Sequence, residues 1–185
     1  EFNTWKLCCN NQNLDISMAR SEVYTYPGAL PQVTSGSIED DLGRRDFSIN
    51  AMAIDLLADK KQTVIDPYDG KADLAKRQLR ILHKDSFIDD ATRILRAVRY
   101  AGRLGFTLEH ETADSLQQCL QYLSTIKGDR IRHEFQYIFK ERNVVDILRL
   151  SQNLNVFKSI HPAIQLDDSL FNKFYNISHT HADER

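Results

Sequence analysis

The chain has 185 residues, of which 42% are hydrophobic and 27% are charged. That length suits one to one and a half domains, and the composition excludes disordered, collagen-like and low-complexity proteins. The net charge is −2, yet residues 71–103 carry nine basic and four acidic side chains. A basic stretch in a nearly neutral chain indicates a local anion site, with phosphate as the first candidate ligand.

Cysteine usage and hydrophobicity predict an intracellular chain. The three cysteines, Cys8, Cys9 and Cys119, are odd in number and lack the spacing of a metal site, so we expect free thiols and a cytoplasmic protein. No run of 18 apolar residues occurs, and the first residues lack the basic and apolar regions of a signal peptide. We therefore expect no membrane partner, while an organellar location stays open.

Short strands and one short helix are predicted up to residue 65. The predicted strands form hairpins from 4–9 with 14–19 and from 50–57 with 63–65, around turns at 10–13 and 58–61. A Ser-x-x-Asp capping pattern at Ser37 and Asp40 predicts a helix through Arg44. This part of the chain is therefore expected to be α+β.

The spacing of apolar residues becomes helical after Gly70. Helices are predicted at 86–104, 109–124, 128–141 and 143–151, with Gly105 and Gly128 at two of the breaks. The second half is therefore expected to be all-α, and the change of period places a domain boundary within 66–85.

The predicted helix at 86–104 carries a row of charged side chains. Its apolar residues share one side, and the opposite side carries Asp89, Arg93, Arg96, Arg99 and Arg103. One interpretation is a solvated face with an Asp89–Arg93 pair one turn apart. The other is a row of guanidinium groups that binds phosphates and base edges, in which Asp90 and Arg93 contact one base together.

A second polar cluster consists of Arg44, Arg45, Asp46 and Asn50 around Phe47. A charge pair at a helix end beside a core phenylalanine would explain it structurally. However, a core does not tolerate unpartnered charges. Two arginines, an aspartate and an asparagine within seven residues therefore favour a compact polar site.

Four segments of the chain carry a family resemblance. They are RRDFSINAMA at 44–53, DPYDG at 66–70 with Asp73, Leu74 and Arg80, DDATRILRAVR at 89–99, and RIRHE at 130–134. In this order they resemble motifs of class II tRNA nucleotidyltransferases, the CCA-adding enzymes, which share the first motif with bacterial poly(A) polymerases. Asp89 departs from the glutamate usual in the family. The similarity runs from about residue 2 to residue 140.

The resemblance implies an α+β fold with three parts. Residues 1–80 would form an incomplete nucleotidyltransferase head of the polymerase-β type. Residues 81–142 would form an all-α neck that reads the base of the nucleotide, and residues 143–185 the start of a helical body.

The resemblance also implies roles for the two charged clusters. Arg45, beside Arg44, matches a triphosphate-binding arginine, and Asp46 and Asn50 are expected to hold the sugar. In the neck, Asp90 and Arg93 match the residues that read the incoming base, while Arg96 and Arg99 match further nucleotide contacts. Residues expected to support the phosphates or the structure around them are Asp89, Arg130 and Arg132.

The family reaction implies Mg²⁺, held by an Asp-x-Asp pair on a strand that precedes this region. That pair and the Gly-Gly loop before it are not in the sequence. Asp15, on a strand like the one bearing the third carboxylate of the head, is the candidate catalytic acid. We expect little or no catalysis from these residues alone, as for a fragment of a longer chain.

The resemblance therefore predicts a template-independent transferase acting on the tRNA 3′ end with CTP and ATP. Addition of CCA, of CC or of A alone stays open. Poly(A) polymerase is the alternative within the same reaction class, although NAMA at 50–53 follows the tRNA-enzyme form. A non-catalytic RNA- or nucleotide-binding remnant is the alternative from another class. The oligomeric state is not predicted.

Overall fold

The computed structural model of the chain describes residues 4–10, 12–26, 28–57 and 63–180, the last four without their side chains. The predicted turn at 58–61 lies outside the described residues. The described helices are too short or too polar to traverse a lipid bilayer.

Two antiparallel hairpins begin the fold. Strands β1 (Thr4–Cys9) and β2 (Gln12–Ser17) pair as predicted, although β2 begins and ends two residues earlier than expected. Strands β3 (Arg20–Val23) and β4 (Gln32–Ser35) form a second hairpin that the sequence analysis did not predict. Their sequences, RSEV and QVTS, are mostly polar and lack the apolar alternation of a half-buried strand.

Helix α1 (Ile38–Gly43) begins with the predicted capping box. The Asp40 backbone N–H donates to Oγ of Ser37 at 3.2 Å, and the Ser37 N–H donates to Oδ2 of Asp40 at 2.8 Å. Both bonds satisfy donors that a helix start leaves open. The helix ends at Gly43, so Arg44 caps it rather than continuing it.

The predicted strand at 50–57 is mostly not a strand. Residues Ser48–Asn50 form a 3₁₀ turn, and only β5 (Ala53–Ile54) pairs, antiparallel, with β6 (Val64–Ile65). The chain turns here because the Ser48 N–H donates to the Arg80 carbonyl at 3.0 Å, next to a bridge between Phe47 and Ile81.

Helix α2 (Gly70–Lys76) packs closely against this turn. A Cβ at Gly70 would lie 2.3 Å from the Ser48 carbonyl oxygen, so only glycine allows the approach. Beyond it, β7 (Gln78–Leu79) pairs in parallel with β8 (Thr107–Leu108). The sequence analysis expected the second half to be entirely α-helical. That expectation is wrong, because β7 and β8 lie in it.

The predicted helix at 86–104 is two helices, α3 (Ser86–Asp89) and α4 (Thr92–Leu104). The break is at Asp90, whose backbone is extended. Its carboxylate accepts hydrogen bonds from the Thr92 N–H at 3.0 Å and the Thr92 hydroxyl at 2.7 Å. Such local side-chain bonds compete with the helical backbone pattern, which explains the break.

The remaining helices follow the predicted order with changed ends. They are α5 (His110–Cys119), a 3₁₀ segment (Leu120–Thr125), α6 (Gly128–Ile138), α7 (Val144–Asn153), α8 (Val156–Ile160) and α9 (Asp168–Thr180). The first two replace the single predicted helix at 109–124, and the last two were not predicted.

Two hydrophobic cores hold these elements together. The larger joins Phe47 and Leu79 to Phe87, Ile94 and Leu116, all fully buried. It therefore fixes the segment after α1 against α3 and α4. The smaller core joins α6 to α9. Phe47 lies within the first charged cluster and Ile94 lies on the helix that carries the second. Because both belong to the larger core, its packing brings the two clusters together.

Candidate functional site

A cavity of about 580 Å³ lies where the end of α1, the start of α4 and one side of α6 meet. Most of its lining side chains are charged or polar. They are Glu22, Tyr24, Arg44, Arg45, Asp46, Asn50, Asp90, Thr92, Arg93, Arg96, Tyr100, Arg130, His133 and Glu134.

Eight of the residues expected at the site line this cavity, from both charged clusters. They are Arg44, Arg45, Asp46, Asn50, Asp90, Arg93, Arg96 and Arg130. Four others lie elsewhere. Arg99 is buried beside Glu134 and Glu141, and Arg132 is exposed and paired with Asp129. Asp89 lies 3.8 Å from His83 at a second cavity, and Asp15 is exposed on β2 opposite Lys6.

Asp41 holds the two arginines at the end of α1. Its Oδ1 accepts from Nη2 of Arg44 at 2.7 Å, and its Oδ2 accepts from Nη2 of Arg45 at 2.6 Å. Burial opposes ionisation of Asp41, but the hydrogen bonds from Arg45 and Arg44 prevail and hold the pKa of this carboxyl below its ordinary value. Arg45, 43% exposed at its side chain, keeps Nη1 outside these bonds and in reach of a ligand.

Asp46 links the first cluster to α4. Its Oδ1 accepts from the Phe47 N–H at 2.9 Å and from Nδ2 of Asn50 at 3.0 Å. Its Oδ2 accepts from Nε of Arg96 at 2.7 Å and lies 2.5 Å from Nη2 of the same residue. Burial opposes the charge on Arg96, yet Asp46 outweighs it and raises the pKa of that guanidinium.

Asp90, at the break between α3 and α4, is held by α6. Nη2 of Arg130 donates to both carboxylate oxygens at 2.8 Å. Together with the bonds from Thr92, this fixes the carboxylate at the wall of the cavity. A carboxylate held in this way can accept a hydrogen bond from an amino group of a base.

Arg93 is buried, so the interpretation of this helix side as a solvated face is wrong. Its Nη1 donates to Oγ of Ser86 at 2.7 Å, and its Nη2 donates to the Arg44 carbonyl at 2.8 Å. Among the ion pairs of the described residues, none joins Asp89 to Arg93. The reason is the break at Asp90, which removes the i,i+4 geometry that the pair needs.

Glu134, Arg99 and Tyr100 form a layer between α4 and α6. Oε2 of Glu134 lies 3.6 Å from Nε of Arg99, and neither atom makes a hydrogen bond within the described residues. Burial raises the pKa of Glu134, although Arg96 and Arg99 oppose the rise. The Tyr100 ring lies under the guanidinium groups of Arg96, Arg99 and Arg103 at 4.6 to 5.5 Å.

The charges of the cavity are nearly balanced. Five lining arginines face four lining carboxylates, Glu22, Asp46, Asp90 and Glu134. Carboxylates orient four of these guanidinium groups: Asp41 holds Arg44 and Arg45, Asp46 holds Arg96, and Asp90 holds Arg130. Arg93 is oriented instead by Ser86 and by the Arg44 carbonyl. Arginine forks pre-oriented in this way suit phosphates and base edges, which both need directed N–H donors.

The described residues do not fit a catalytic metal site. No group of three His, Cys, Asp or Glu side chains in the described ranges is close enough to hold an ion. Asp15 belongs to no such group. It lies on the exposed strand β2, which pairs with β1. Its predicted catalytic role therefore stays a prediction, and no metal-dependent step is derived from these residues.

Six lining residues were not expected from the sequence. They are Glu22, Tyr24, Thr92, Tyr100, His133 and Glu134. One pattern could have indicated the first two. In RSEVY at 20–24, Arg20, Glu22 and Tyr24 alternate and therefore share one face of a strand. Thr92, His133 and Glu134 lie within the motifs at 89–99 and 130–134, which could have indicated them, whereas Tyr100 needed the packing of α6 on α4.

The comparisons with known proteins bear on the family of this chain. Residues 1–80 match the "Poly A polymerase head domain" and residues 105–167 the "Probable RNA and SrmB- binding site of polymerase A". The chain belongs to the class II tRNA nucleotidyltransferase family, which shares its head with bacterial poly(A) polymerases. The boundaries at 80 and 142 remain predictions.

Two curated relatives are A-adding tRNA nucleotidyltransferases. The Aquifex aeolicus protein is 38% identical over 95% of this chain, and the Halalkalibacterium halodurans protein 41% over 85%. The chain spans 22% and 38% of their lengths. CC-adding and CCA-adding relatives match over 51 to 57% of this chain.

Solved structures support the same fold. An apo CCA-adding enzyme superposes with a TM-score of 0.88 at 36% identity, over 96% of this chain and 42% of its own. A tRNA nucleotidyltransferase complexed with a primer tRNA and an incoming ATP analog gives 0.80 at 34% identity, over 94% and 49%.

Proposed function

We propose that this chain is the nucleotide-selecting part of an enzyme that adds CMP, AMP or both to the 3′ end of tRNA. The observation that carries the proposal is the meeting of the two charged clusters in one cavity. Arg45 and Arg44 supply donors for phosphates, and Asp90 and Arg93 line the same cavity beside them, with Nη2 of Arg93 on the Arg44 carbonyl at 2.8 Å. Guanidinium groups for phosphates together with a carboxylate–guanidinium set for a base edge suit a nucleoside triphosphate.

The phosphate end of this site is the α1 terminus. Arg45 has an exposed guanidinium with Nη1 outside its bonds to Asp41. It can therefore bind a phosphate without first leaving its carboxylate. Arg44 is more deeply held, by Asp41 and by Glu22 at 3.1 Å, and acts by fixed charge rather than by movement.

The base end lies at the break between α3 and α4. Asp90 offers carboxylate oxygens to an amino group, and Arg93 offers N–H groups to a ring nitrogen. Cytosine and adenine both carry an amino group beside a ring nitrogen acceptor. A single carboxylate–guanidinium pair can therefore accept both CTP and ATP. UTP has a carbonyl in place of the amino group, so the Asp90 carboxylate would receive no hydrogen bond from it.

AMP addition is the finer proposal. The A-adding relatives match 83 to 95% of this chain, a larger share than the CC-adding and CCA-adding relatives. We expect ATP to bind in preference to CTP. Poly(A) polymerase and a non-catalytic nucleotide-binding remnant are the competing functions. Mg²⁺ enters this proposal as the ion that the family reaction implies, with no ligand assigned among the described residues.

Equilibrium binding of ATP, CTP, UTP and GTP to the chain tests the proposal. We expect ATP to bind most tightly and UTP most weakly. In Arg93→Ala, the ratio of the UTP to the ATP dissociation constant should fall about tenfold. The reason is the loss of one charge-assisted hydrogen bond, which contributes on the order of 1 to 3 kcal/mol. Arg132→Ala, at an exposed arginine of α6 that does not line the cavity, is the matched control. Unchanged ratios in Arg93→Ala would contradict the base-reading role.

Competition between RNAs separates the alternatives. We expect tRNA ending in CC to displace labelled ATP or to enhance its binding, and oligo(A) of equal length to do neither. Equal effects of the two RNAs would favour the poly(A) alternative. Binding of ATP without any effect of tRNA would favour the remnant.

A further inference from the structure

Three of the residues that line the cavity carry aromatic rings, and two of these rings are already engaged. Tyr100 lies under three guanidinium groups and meets the Phe47 ring edge to face at 5.8 Å. His133 packs edge to face on Tyr137 at 4.7 Å. Tyr24 takes part in no ring or cation contact described within the resolved ranges of the chain.

Tyr24 is held at its hydroxyl. It follows β3, and its O–H donates to Oε2 of Glu22 at 3.0 Å. Glu22 is itself fixed, because its Oε1 lies 3.1 Å from Nη2 of Arg20 and 3.1 Å from Nη1 of Arg44. The phenol is therefore anchored at its polar end, while its ring forms part of the cavity wall.

The ring stands close to the base end of the cavity. Tyr24 and Arg93 both line the main cavity and also a second cavity of about 240 Å³, as Glu22 and Arg44 do, so these side chains lie near one another. Burial raises the pKa of the Tyr24 hydroxyl, Arg93 opposes the rise, and Asp90 adds to it. The charges of both base-reading residues thus reach this side chain.

We propose that Tyr24 is the platform on which the base of the bound nucleotide stacks. The inference rests on the proposed function, because it takes Asp90 and Arg93 as the residues that contact the edge of the base. Asp90 and Arg93 contact only the edge of the base. The Tyr24 ring, which is anchored at its hydroxyl and lies beside that pair, supplies a flat surface for the face of the base. Stacking adds affinity for any base, and the edge contacts select among bases.

Isothermal titration of the chain with two ligands tests this assignment. ATP and ribose 5′-triphosphate share the sugar and the phosphates and differ only in the base. We expect Tyr24→Leu to lower the affinity for ATP about tenfold, the typical loss of one base–aromatic stack. Affinity for ribose 5′-triphosphate should not change. Tyr24→Phe keeps the ring and should bind both ligands as the wild type does.

Tyr26→Leu is the matched control, because Tyr26 lies two residues away, is 68% exposed and does not line the cavity. It should leave both affinities unchanged. If circular dichroism shows that Tyr24→Leu is unfolded, Tyr24→Met replaces it in the same comparison.

Three results would overturn the assignment. They are an equal loss for both ligands in the folded non-aromatic variant, no loss for ATP, and a loss in Tyr24→Phe as large as in Tyr24→Leu. These outcomes differ from a failure of the proposed function. If the wild-type chain binds neither ligand, the nucleotide site itself is wrong. Equal binding of both ligands by the wild type would reject every contact to the base, including those of Asp90 and Arg93, whereas an unchanged ATP affinity in folded Tyr24→Leu rejects only the stacking platform.

Discussion

Two carboxylates that line the cavity are equally buried and differently bonded. Asp46 and Glu134 are each 7% exposed, and both face Arg96. Asp46 accepts bonds of 2.7 to 3.0 Å from Phe47, Asn50 and Arg96. Glu134 has its arginines at 3.6 and 3.8 Å, and its Oε2 has no hydrogen-bond partner within the described residues.

The difference teaches that burial alone does not tell whether a charge stabilises the fold. Removing a carboxylate from water costs several kcal/mol, and only short, directed bonds offset that cost. Asp46 has such bonds and Glu134 does not. We therefore expect Asp46 to be a structural anchor of the arginine cluster and Glu134 to be a charge that the fold tolerates.

The largest expected effect is the loss of the Asp46 anchor. Asp46→Ala leaves the partly buried Arg96 guanidinium and the buried Phe47 N–H without their acceptor, and should lower the free energy of unfolding by about 3 to 5 kcal/mol. Denaturant unfolding at neutral pH measures it. A variant less than 1 kcal/mol below the wild type, by the same measurement, would show that short bonds do not distinguish Asp46 from Glu134.

Asp41, in the last turn of α1, resembles Asp46. It is 6% exposed and accepts short hydrogen bonds from Arg44 and Arg45. Asp41→Asn should cost about 1 to 3 kcal/mol, mostly through Arg44, because Arg45 is largely exposed and screened by water.

The pH dependence gives a second measurement of Asp41. Its pKa is lowered on folding, so its stabilisation is present above the ordinary value of 3.8 and is lost as pH falls through the lowered pKa. The stability difference between the wild type and Asp41→Asn should therefore shrink on acidification below that value. A difference constant with pH would contradict the ion-pair account.

The elements that the sequence predicted were those with local causes. The capping box at Ser37 and Asp40 lies within four residues, and the β1–β2 hairpin carries its own alternation. The β3–β4 hairpin was missed because its strands are polar, and its position depends on contacts such as that between Gly28 and Thr125. Nothing in residues 20–35 alone indicates that contact.

The sequence predicted most of the residues of the site, but it did not predict which of them are buried or how they are arranged. The motifs indicated both arginine clusters, and the structure places them around one cavity. The burial of Arg93 and Arg99 contradicts the amphipathic pattern, because that pattern assumes water opposite the core. Here α6 and the end of α1 cover that side, and the carboxylate Glu134 comes from α6, 35 residues after Arg99 in the chain.

Glu134→Gln should have a small effect at neutral pH, less than about 1 kcal/mol. It removes a poorly bonded charge, while Arg96 keeps Asp46 and Arg99 keeps Glu141 at 3.3 Å. Because burial raises the pKa of Glu134, the wild type pays the penalty of ionising it only as pH rises above its ordinary value. The variant should therefore gain stability relative to the wild type as pH rises from the ordinary value of 4.5 through the raised pKa of Glu134. The opposite trend would show that Glu134 is stabilised by its arginines.

The smallest expected effect concerns a pair with short bonds but no burial. Arg132 donates from Nη2 to Oδ1 of Asp129 at 2.8 Å, and the two side chains are 73% and 86% exposed. Water solvates both charges in the unfolded and the folded chain, so little is gained when they meet. Arg132→Ala should change the free energy of unfolding by less than about 0.5 kcal/mol, and added salt should remove what difference there is. A loss comparable to that of Asp46→Ala would mean that bond length, without burial, determines the strength of ion pairs in this chain.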